Sequence, residues 1–335
     1  MHLITLDVNN NIKEYRIEPN NGITDPTAHN QRYPHIELIQ DDDTFYSSTV
    51  SVGSFGIVYS LIIETQSRFL LKEKRTLEIW EEIKPTIFEK IESPNIHSIH
   101  IWVNPYKING KTKCVISEYT LDDGPVKGKR PWGTSWYIVD ELSPFIEFIT
   151  RNWPKNIPQI LNASLKQTVN KKPVVMPNPE ALNFGAPNHA LVHATNVSID
   201  AKDSIAFVDE MHNLFRQRFE DNIYVTGVAG LRYTSPSKAF ISPQYQRQSC
   251  MIELPIIQGT DGAINTINAF HEMVFEKFNG RPHWGQINKV IDKERFKTMF
   301  PEWKKFVRTF DKFNKGHFDN TFTNQLSLRE LISEL

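Results

Sequence analysis

Two stretches of the chain place cationic and aromatic side chains on glycine-rich loops. The first, residues 227–248, follows an apolar segment and carries Arg232 among small and polar residues. The second, NGRPHWGQ, sets an arginine, His283, Trp284 and Gln286 around a proline and two glycines. A cation and an imidazole beside an indole can support a planar, partly anionic ring. The alternative is an aromatic loop that only packs against its neighbours.

The histidine spacing does not predict a metal site. His97 and His100 lie three apart in an apparent strand, so they face opposite sides of it. His189 and His193 lie four apart in a segment that also favours a strand, where they would be roughly 13 Å apart, too far for one zinc ion. Ser54 has no glycine two residues before it, so it is not the nucleophile of a G-x-S-x-G motif.

A glycine turn opens the segment SVGSFGIVYSLIIET. Gly53 and Gly56 lie three apart and precede a β-branched run that begins at Ile57. Glycine adopts positive φ and lets another backbone or a ligand approach closely, so the backbone of this turn, with Ser54, is a candidate for holding a phosphate or a flat cofactor. The alternative is a β-turn before a core strand. In either case the β-branched run predicts a buried strand.

Composition limits the class of protein. A chain of 335 residues is long enough for about two domains. With a net charge of −1, no overall field favours nucleic acid or an anionic membrane. Two cysteines, Cys114 and Cys250, favour a reducing compartment. Since no signal peptide or membrane-spanning run is recognisable, we expect a cytoplasmic protein without nucleic-acid or membrane partners.

The hydrophobic pattern predicts an α+β fold, with an antiparallel sheet covered by helices on one face. The expected strands are 3–8, 12–17, 68–72, 97–104, 113–118, 190–199, 223–233 and 248–257. The expected helices are 76–91, 137–153, 157–168, 203–219 and 263–278. The acidic run 41–43 favours a helix cap over a cation site.

Four segments resemble, in order, the FAD-linked sugar-lactone oxidases of the vanillyl-alcohol-oxidase superfamily, the family of L-gulonolactone, D-arabinono-1,4-lactone and alditol oxidases. SVGSFGIVYSLIIET resembles the segment that closes the family's flavin domain, and LRYTSPSKAFISPQYQRQSCMIELP resembles its strand–loop–strand unit. GRPHWGQ is similar to its HWxK-type segment. PEW followed by FDKFNKGHFDN resembles its C-terminal ending.

The resemblance implies three regions. Residues 1–70 would be a remnant of a PCMH-type FAD-binding subdomain, 71–280 a substrate (cap) domain with a large antiparallel sheet, and 281–335 a segment returning to the flavin site. The implied reaction oxidises a CH–OH group of an alcohol or sugar lactone by hydride transfer to FAD.

The resemblance also implies roles for individual residues. Arg232 would reach the substrate, while His283 and Gln286 would lie near the flavin. Trp284 and Gly285 would contact the cofactor. In the glycine turn, Gly53, Ser54, Gly56 and Ile57 would approach it through backbone atoms.

Three departures from the family pattern leave alternatives open. Gly230 stands where the family has a carboxylate, which Glu253 on the next strand could replace, and Gln286 stands where it has a lysine. Only about fifty residues precede Gly53, so the chain is expected to begin within the FAD domain. The chain could therefore be part of a flavoenzyme, one half of a split flavoenzyme that pairs with a separate N-terminal FAD-domain polypeptide, or a non-catalytic remnant or binding module with the cap fold.

Overall fold

A computed structural model describes residues 1–129, 148, 152–170, 172–182 and 191–335. The predicted helix 137–153 lies almost wholly outside these residues, and His189 lies outside them. The described strands are β1 His2–Leu6, β2 Ile12–Glu18, β3 Ile36–Gln40, β4 Ile57–Ser60, β5 Leu70–Ile79, β6 Ser98–Val103, β7 Lys113–Asp122, β8 Val174–Pro177, β9 Val192–Asp200, β10 Ala229–Thr234, β11 Ser249–Ile257 and β12 Arg281–Pro282.

The described α-helices are α1 Pro26–Arg32, α2 Asp42–Thr49, α3 Trp80–Ile83, α4 Ile87–Ile91, α5 Ile157–Gln167, α6 Asn178–Leu182, α7 Ser204–Glu220, α8 Ala263–Phe278, α9 Lys293–Met299, α10 Trp303–Asn314, α11 Thr321–Gln325 and α12 Leu328–Ile332. None of the described helices is long and apolar enough to cross a bilayer.

The chain divides into two compact units, each built from separate stretches of sequence. The first unit comprises Met1–Thr65, Pro236–Arg247 and Lys289–Leu335, and the second comprises Gln66–Ser235 and Gln248–Asn288. Residues 236–247 therefore belong with the first unit and residues 281–288 with the second.

A four-stranded sheet in the order β3-β2-β1-β4 organises the first unit. The β2–β3 pair is parallel and the other two pairs are antiparallel. The acidic run 41–43 provides the expected helix cap at the start of α2, because the Asp41 carboxylate accepts the backbone N–H of Thr44 at 2.7 Å. Asn320 caps α11 in the same way and also donates to the carbonyl of Val52 at 2.9 Å.

The prediction of a buried strand after the glycine turn is wrong. β4 has four residues and pairs with β1 alone, at the edge of the sheet. The apolar side chains from 57 to 63 are exposed, including Ile57 at 62%, Tyr59 at 70% and Ile63 at 72%. β-branched composition favours a strand, but burial depends on what covers the strand, which composition does not encode.

An eight-stranded antiparallel sheet in the order β12-β9-β11-β10-β6-β7-β5-β8 organises the second unit, confirming the predicted α+β class. One face packs against α7 and α8, whose core residues include Phe207, Phe215, Phe270 and Val274. The strands contribute Ile101, Leu231, Ile252 and Val197, among others, to the same core. Because side chains alternate along a strand, their neighbours in sequence lie on the other face.

The helix predicted over 76–91 is wrong over its first turn and is interrupted in the middle. Residues up to Ile79 continue β5 in register with β7, where Thr76 faces Ile116. The rest forms two short helices, α3 and α4, on either side of Pro85. Proline lacks the N–H that a continuous helix needs at this point, which explains the interruption.

Candidate functional site

One face of the eight-stranded sheet carries a continuous row of mainly polar side chains, and we call it the polar face. Register partners across seven strands are Arg281, Ser198, Met251, Arg232, His100, Ser117 and Arg75. Their sequence neighbours, such as Ile101 and Leu231, belong to the helix-covered core on the opposite face. The sheet thus separates an apolar face from a face with three arginines and a histidine.

Arg232 and Glu253 form an ion pair on the polar face. The Arg232 guanidinium donates to the Glu253 carboxylate at 2.8 Å, and the two side chains are 36% and 22% exposed. Glu253 is the register partner of Gly230, so it lies diagonally across from Arg232 on the same face. A Cβ at Gly230 would meet the nearest atom, on Trp102, at 3.6 Å, an ordinary contact. A carboxylate is therefore present beside Arg232, although it comes from the neighbouring strand.

The loop from His283 to Asn288 is anchored along β9. The His283 N–H donates to the Asn196 carbonyl at 2.9 Å, and the Ile287 N–H donates to the Ala194 carbonyl at 3.3 Å. The Asn288 amide donates to the carbonyls of His283 and Trp284, both at 3.4 Å. Trp284 is buried, while His283 and Gly285 are exposed. These bonds hold the loop beside the strand that contains Asn196.

The anchored loop fixes the proton position of His283. The Gly285 N–H donates to Nδ1 of His283 at 3.2 Å, so Nδ1 acts as the acceptor. A neutral imidazole in this arrangement carries its proton on Nε2. The exposed ring therefore presents an N–H donor to whatever binds beside the loop.

Two buried side-chain oxygens in this region are acceptors without a donor. They are Oδ1 of Asn196 and Oε1 of Gln286, and no described residue donates to either. Asn196 is the register partner of Glu253, which places it on the polar face. Buried amide oxygens are nearly always hydrogen-bonded, so these two are suited to a ligand with N–H or O–H groups.

A buried ion pair supports the polar face farther along the same row. The Glu73 carboxylate accepts from Arg75 Nη2 at 2.7 Å and from the Tyr119 hydroxyl at 2.6 Å, while Ser117 donates at 3.3 Å. Glu73 and Arg75 are 0% and 2% exposed. Arg75 also lies 4.9 Å from the centre of the Trp102 ring. These bonds fix Arg75 and Trp102 next to the strands of His100 and Arg232.

The glycine turn lies in the first unit, where its polar groups have partners. Gly53 and Gly56 have φ of 71° and 142°, so both use conformations that favour glycine. A Cβ at Gly56 would come within 2.4 Å of the Ile4 carbonyl oxygen, so close backbone packing requires glycine there. The buried Ser54 hydroxyl donates to the Ser51 carbonyl at 2.6 Å, and the Ser54 carbonyl accepts from Asn314 at 2.8 Å. Gly53 and Ile57 are exposed.

The structure groups the residues predicted from the sequence into three sets. Arg232 and Glu253 share the polar face, and His283, Trp284, Gly285 and Gln286 share the loop along β9. The four residues of the glycine turn belong to the other unit. Asn196 is the residue that sequence reasoning missed, because only the pairing of β9 with β11 places it beside Glu253.

Comparison with solved structures defines the class of fold. A cholesterol oxidase from B. sterolicum superposes with a TM-score of 0.71 at 12% identity, covering 97% of this chain and 68% of that one. The Bermuda grass isoallergen BG60 superposes with a TM-score of 0.52 at 10% identity, covering 96% of this chain and 64% of that one. The chain therefore shares its fold with these two proteins.

The sequence then identifies the family. The family model described as D-arabinono-1,4-lactone oxidase matches residues 63–326, so the chain belongs to that family. The chain is also similar to L-gulonolactone oxidase of Mus musculus, with 26% identity over 99 residues. That match covers 29% of this chain and only 22% of the mouse protein. The resemblance inferred from the four motifs is confirmed.

Proposed function

We propose that this chain supplies the substrate-facing and part of the flavin-facing surface of an FAD-dependent oxidoreductase acting on a CH–OH group of an alcohol or sugar lactone. The observation that carries the proposal is the Arg232–Glu253 pair on the polar face of a sheet that the family model spans. An arginine paired with a carboxylate is held in a fixed orientation, and a guanidinium suits recognition of a lactone or hydroxyl oxygen.

The loop along β9 fits FAD. The flavin ring has a polar edge with both N–H donors and carbonyl acceptors. The side-chain amide of Gln286 offers a buried acceptor oxygen that no described residue fills, together with an N–H₂ donor. The exposed backbone at Gly285 leaves room for a ring to approach. When bound, FAD supplies the acceptor for a hydride from the substrate carbon.

The chain's own residues would orient the substrate and manage charge. Arg232 would hold a substrate oxygen, and Glu253 would keep the guanidinium in position. The Nε2–H of His283 is a donor that can stabilise negative charge near the loop. Gln286, being neutral, would contribute a hydrogen bond where the family's lysine contributes a full charge.

The test is FAD binding followed by substrate-dependent reduction. We expect added FAD to raise the melting temperature of the purified chain and to shift the flavin absorbance bands. Anaerobic addition of a sugar lactone or polyol should then bleach those bands. Arg232→Met should lower the rate of substrate-dependent bleaching at least about tenfold, as expected for loss of a charge-assisted hydrogen bond. Arg308→Met, at an exposed arginine of α10, is the matched control and should behave like the parent. Bleaching that persists in Arg232→Met would contradict the assigned role.

A second candidate function is one half of a split flavoenzyme, and the exposed strand β4 favours it. A separate N-terminal FAD-domain polypeptide could extend the sheet at the β4 edge and cover the apolar side chains from 57 to 63, since such edges and patches are typical of interaction sites. If the chain is instead a non-catalytic binding module, it should bind neither flavin nor such a partner.

The split arrangement predicts that the tagged chain, purified from its own cells, carries FAD only together with a second polypeptide. The double variant Tyr59→Lys, Ile62→Lys should lose both the second polypeptide and the FAD. Ile12→Lys is the matched control, because Ile12 is an equally exposed apolar residue, at 68%, on a strand of the same sheet. Tight FAD binding by the chain alone would rule this candidate out.

A further inference from the structure

A cavity in the second unit lies away from every residue assigned above. It has a volume of about 420 Å³ and lies between the loop after β6, the start of α5 and the C-terminal half of α7. Cavities of this size accommodate small organic ligands. None of its lining residues belongs to the polar face or to the loop along β9. A ligand here would therefore occupy a site separate from the proposed catalytic surface.

Part of the cavity lining is apolar and aromatic. Pro105, Tyr106, Pro158 and Phe219 contribute to it, and the rings of Tyr106 and Phe219 lie edge to face at 5.5 Å. The Tyr106 hydroxyl donates to the Val225 carbonyl at 3.2 Å, so its polar end is engaged in the protein. The aromatic surface that remains suits a flat, apolar ligand body.

Cations predominate among the charged lining residues. Lys107, Lys155 and Arg216 line the cavity, against the single carboxylate of Glu220. Glu220 lies 3.4 Å from Arg216, and Lys107 lies 3.5 Å from Glu81. Lys155 is the third cation of the lining. The cavity thus keeps an excess of positive charge that an anionic ligand would neutralise.

His212 belongs to the lining and adds no charge to it. It is 5% exposed, and its Nε2 lies 3.1 Å from the Asn104 carbonyl, so Nε2 carries the proton. Nδ1 is then a buried acceptor to which no described residue donates. Burial lowers the pKa of the imidazole to about 4, so the ring is neutral at physiological pH.

We propose that this cavity binds a small aromatic carboxylate. The aromatic lining would contact the ring, and Lys155 with Arg216 would contact the carboxylate. The cavity belongs wholly to the second unit, so this proposal does not depend on the proposed oxidoreductase function.

The test is calorimetric titration of the full chain with 4-hydroxybenzoate and with its neutral analogue 4-hydroxybenzamide. We expect the carboxylate to bind at least about tenfold more tightly than the amide, because charge-assisted contacts are lost in the amide. The double variant Lys155→Met, Arg216→Met should lower the carboxylate affinity at least about tenfold. Lys166→Met, at an exposed lysine on α5, should leave it unchanged.

Circular dichroism of each variant checks that the fold is retained, and the comparison of the two compounds on the unaltered chain does not depend on any variant. The proposal is overturned if 4-hydroxybenzoate does not bind, if the amide binds equally well, or if the double variant binds as the parent does.

Discussion

The buried Glu73–Arg75 pair allows a quantitative prediction about the support of the polar face. Glu73→Gln keeps the shape of the side chain but removes its charge. Arg75, only 2% exposed, would then keep a buried charge without its carboxylate partner. Breaking a buried ion pair on one side costs about 3–5 kcal/mol. For a unit of this size that corresponds to a fall in melting temperature of roughly 10 °C.

Neighbouring donors add to this cost. Tyr119 and Ser117 also donate to the Glu73 carboxylate, so in Glu73→Gln both donors exchange a charged acceptor for a neutral one. Burial, reinforced by the Glu73 charge, raises the pKa of Tyr119 to about 12, so its hydroxyl stays protonated and remains a donor. In Glu73→Gln the Tyr119 hydroxyl would therefore donate to a neutral amide oxygen, which is a weaker acceptor than a carboxylate.

Urea unfolding followed by circular dichroism measures the effect, with two controls. Glu180→Gln breaks the exposed pair of Glu180 with Arg68 and should cost less than about 1 kcal/mol. The double variant Glu73→Met, Arg75→Met removes both buried charges and should recover much of the loss. A loss below about 1 kcal/mol for Glu73→Gln would show that the pair is not the buried support described above.

Two further predictions concern stability. Gly230→Ala should raise the free energy of unfolding by about 0.5–1 kcal/mol, because its Cβ has room beside Trp102 and the unfolded chain loses freedom. Gly227→Ala should lower it, because its Cβ would lie 2.1 Å from the Pro255 carbonyl oxygen; equal effects on urea unfolding would refute the contrast. The buried His212, with its pKa lowered from 6.5 to about 4, makes the unfolded state bind more protons between these values, so stability should fall by about 3 kcal/mol as pH drops from about 6.5 to about 4. Urea unfolding measured across this pH range should show that the free energy of unfolding depends less steeply on pH in His212→Gln than in the parent. An unchanged pH dependence would refute the assignment.

The sequence predicted those features that depend on local pattern. The spacing of apolar residues in 263–278 gave the bounds of α8 as observed, and the acidic run gave the cap at Asp41. The motifs placed the family correctly. Features that depend on strand pairing could not be predicted from the sequence, because the hydrophobic pattern does not indicate which strand lies at an edge. The exposure of β4 and the extension of β5 to Ile79 are both of this kind.

The same distinction between local pattern and strand pairing applies to the residues of the candidate site. Residue type and motif singled out Arg232, His283 and Gln286, but their partners come from other strands. Glu253 could be considered beside Arg232 because its strand follows closely in the sequence. Asn196 could not, since β9 and β11 are separated by a helix and by β10.

The measurement that most directly tests the central claim is titration of the purified chain with FAD, followed by flavin absorbance and by melting temperature. If the chain supplies part of a flavin site, the absorbance bands should shift and the melting temperature should rise with FAD concentration. Gly285→Trp should weaken both changes, because the bulky ring would occupy the exposed loop. Flavin bands identical to those of free FAD, with an unchanged melting temperature, would contradict the claim that the chain by itself binds the cofactor.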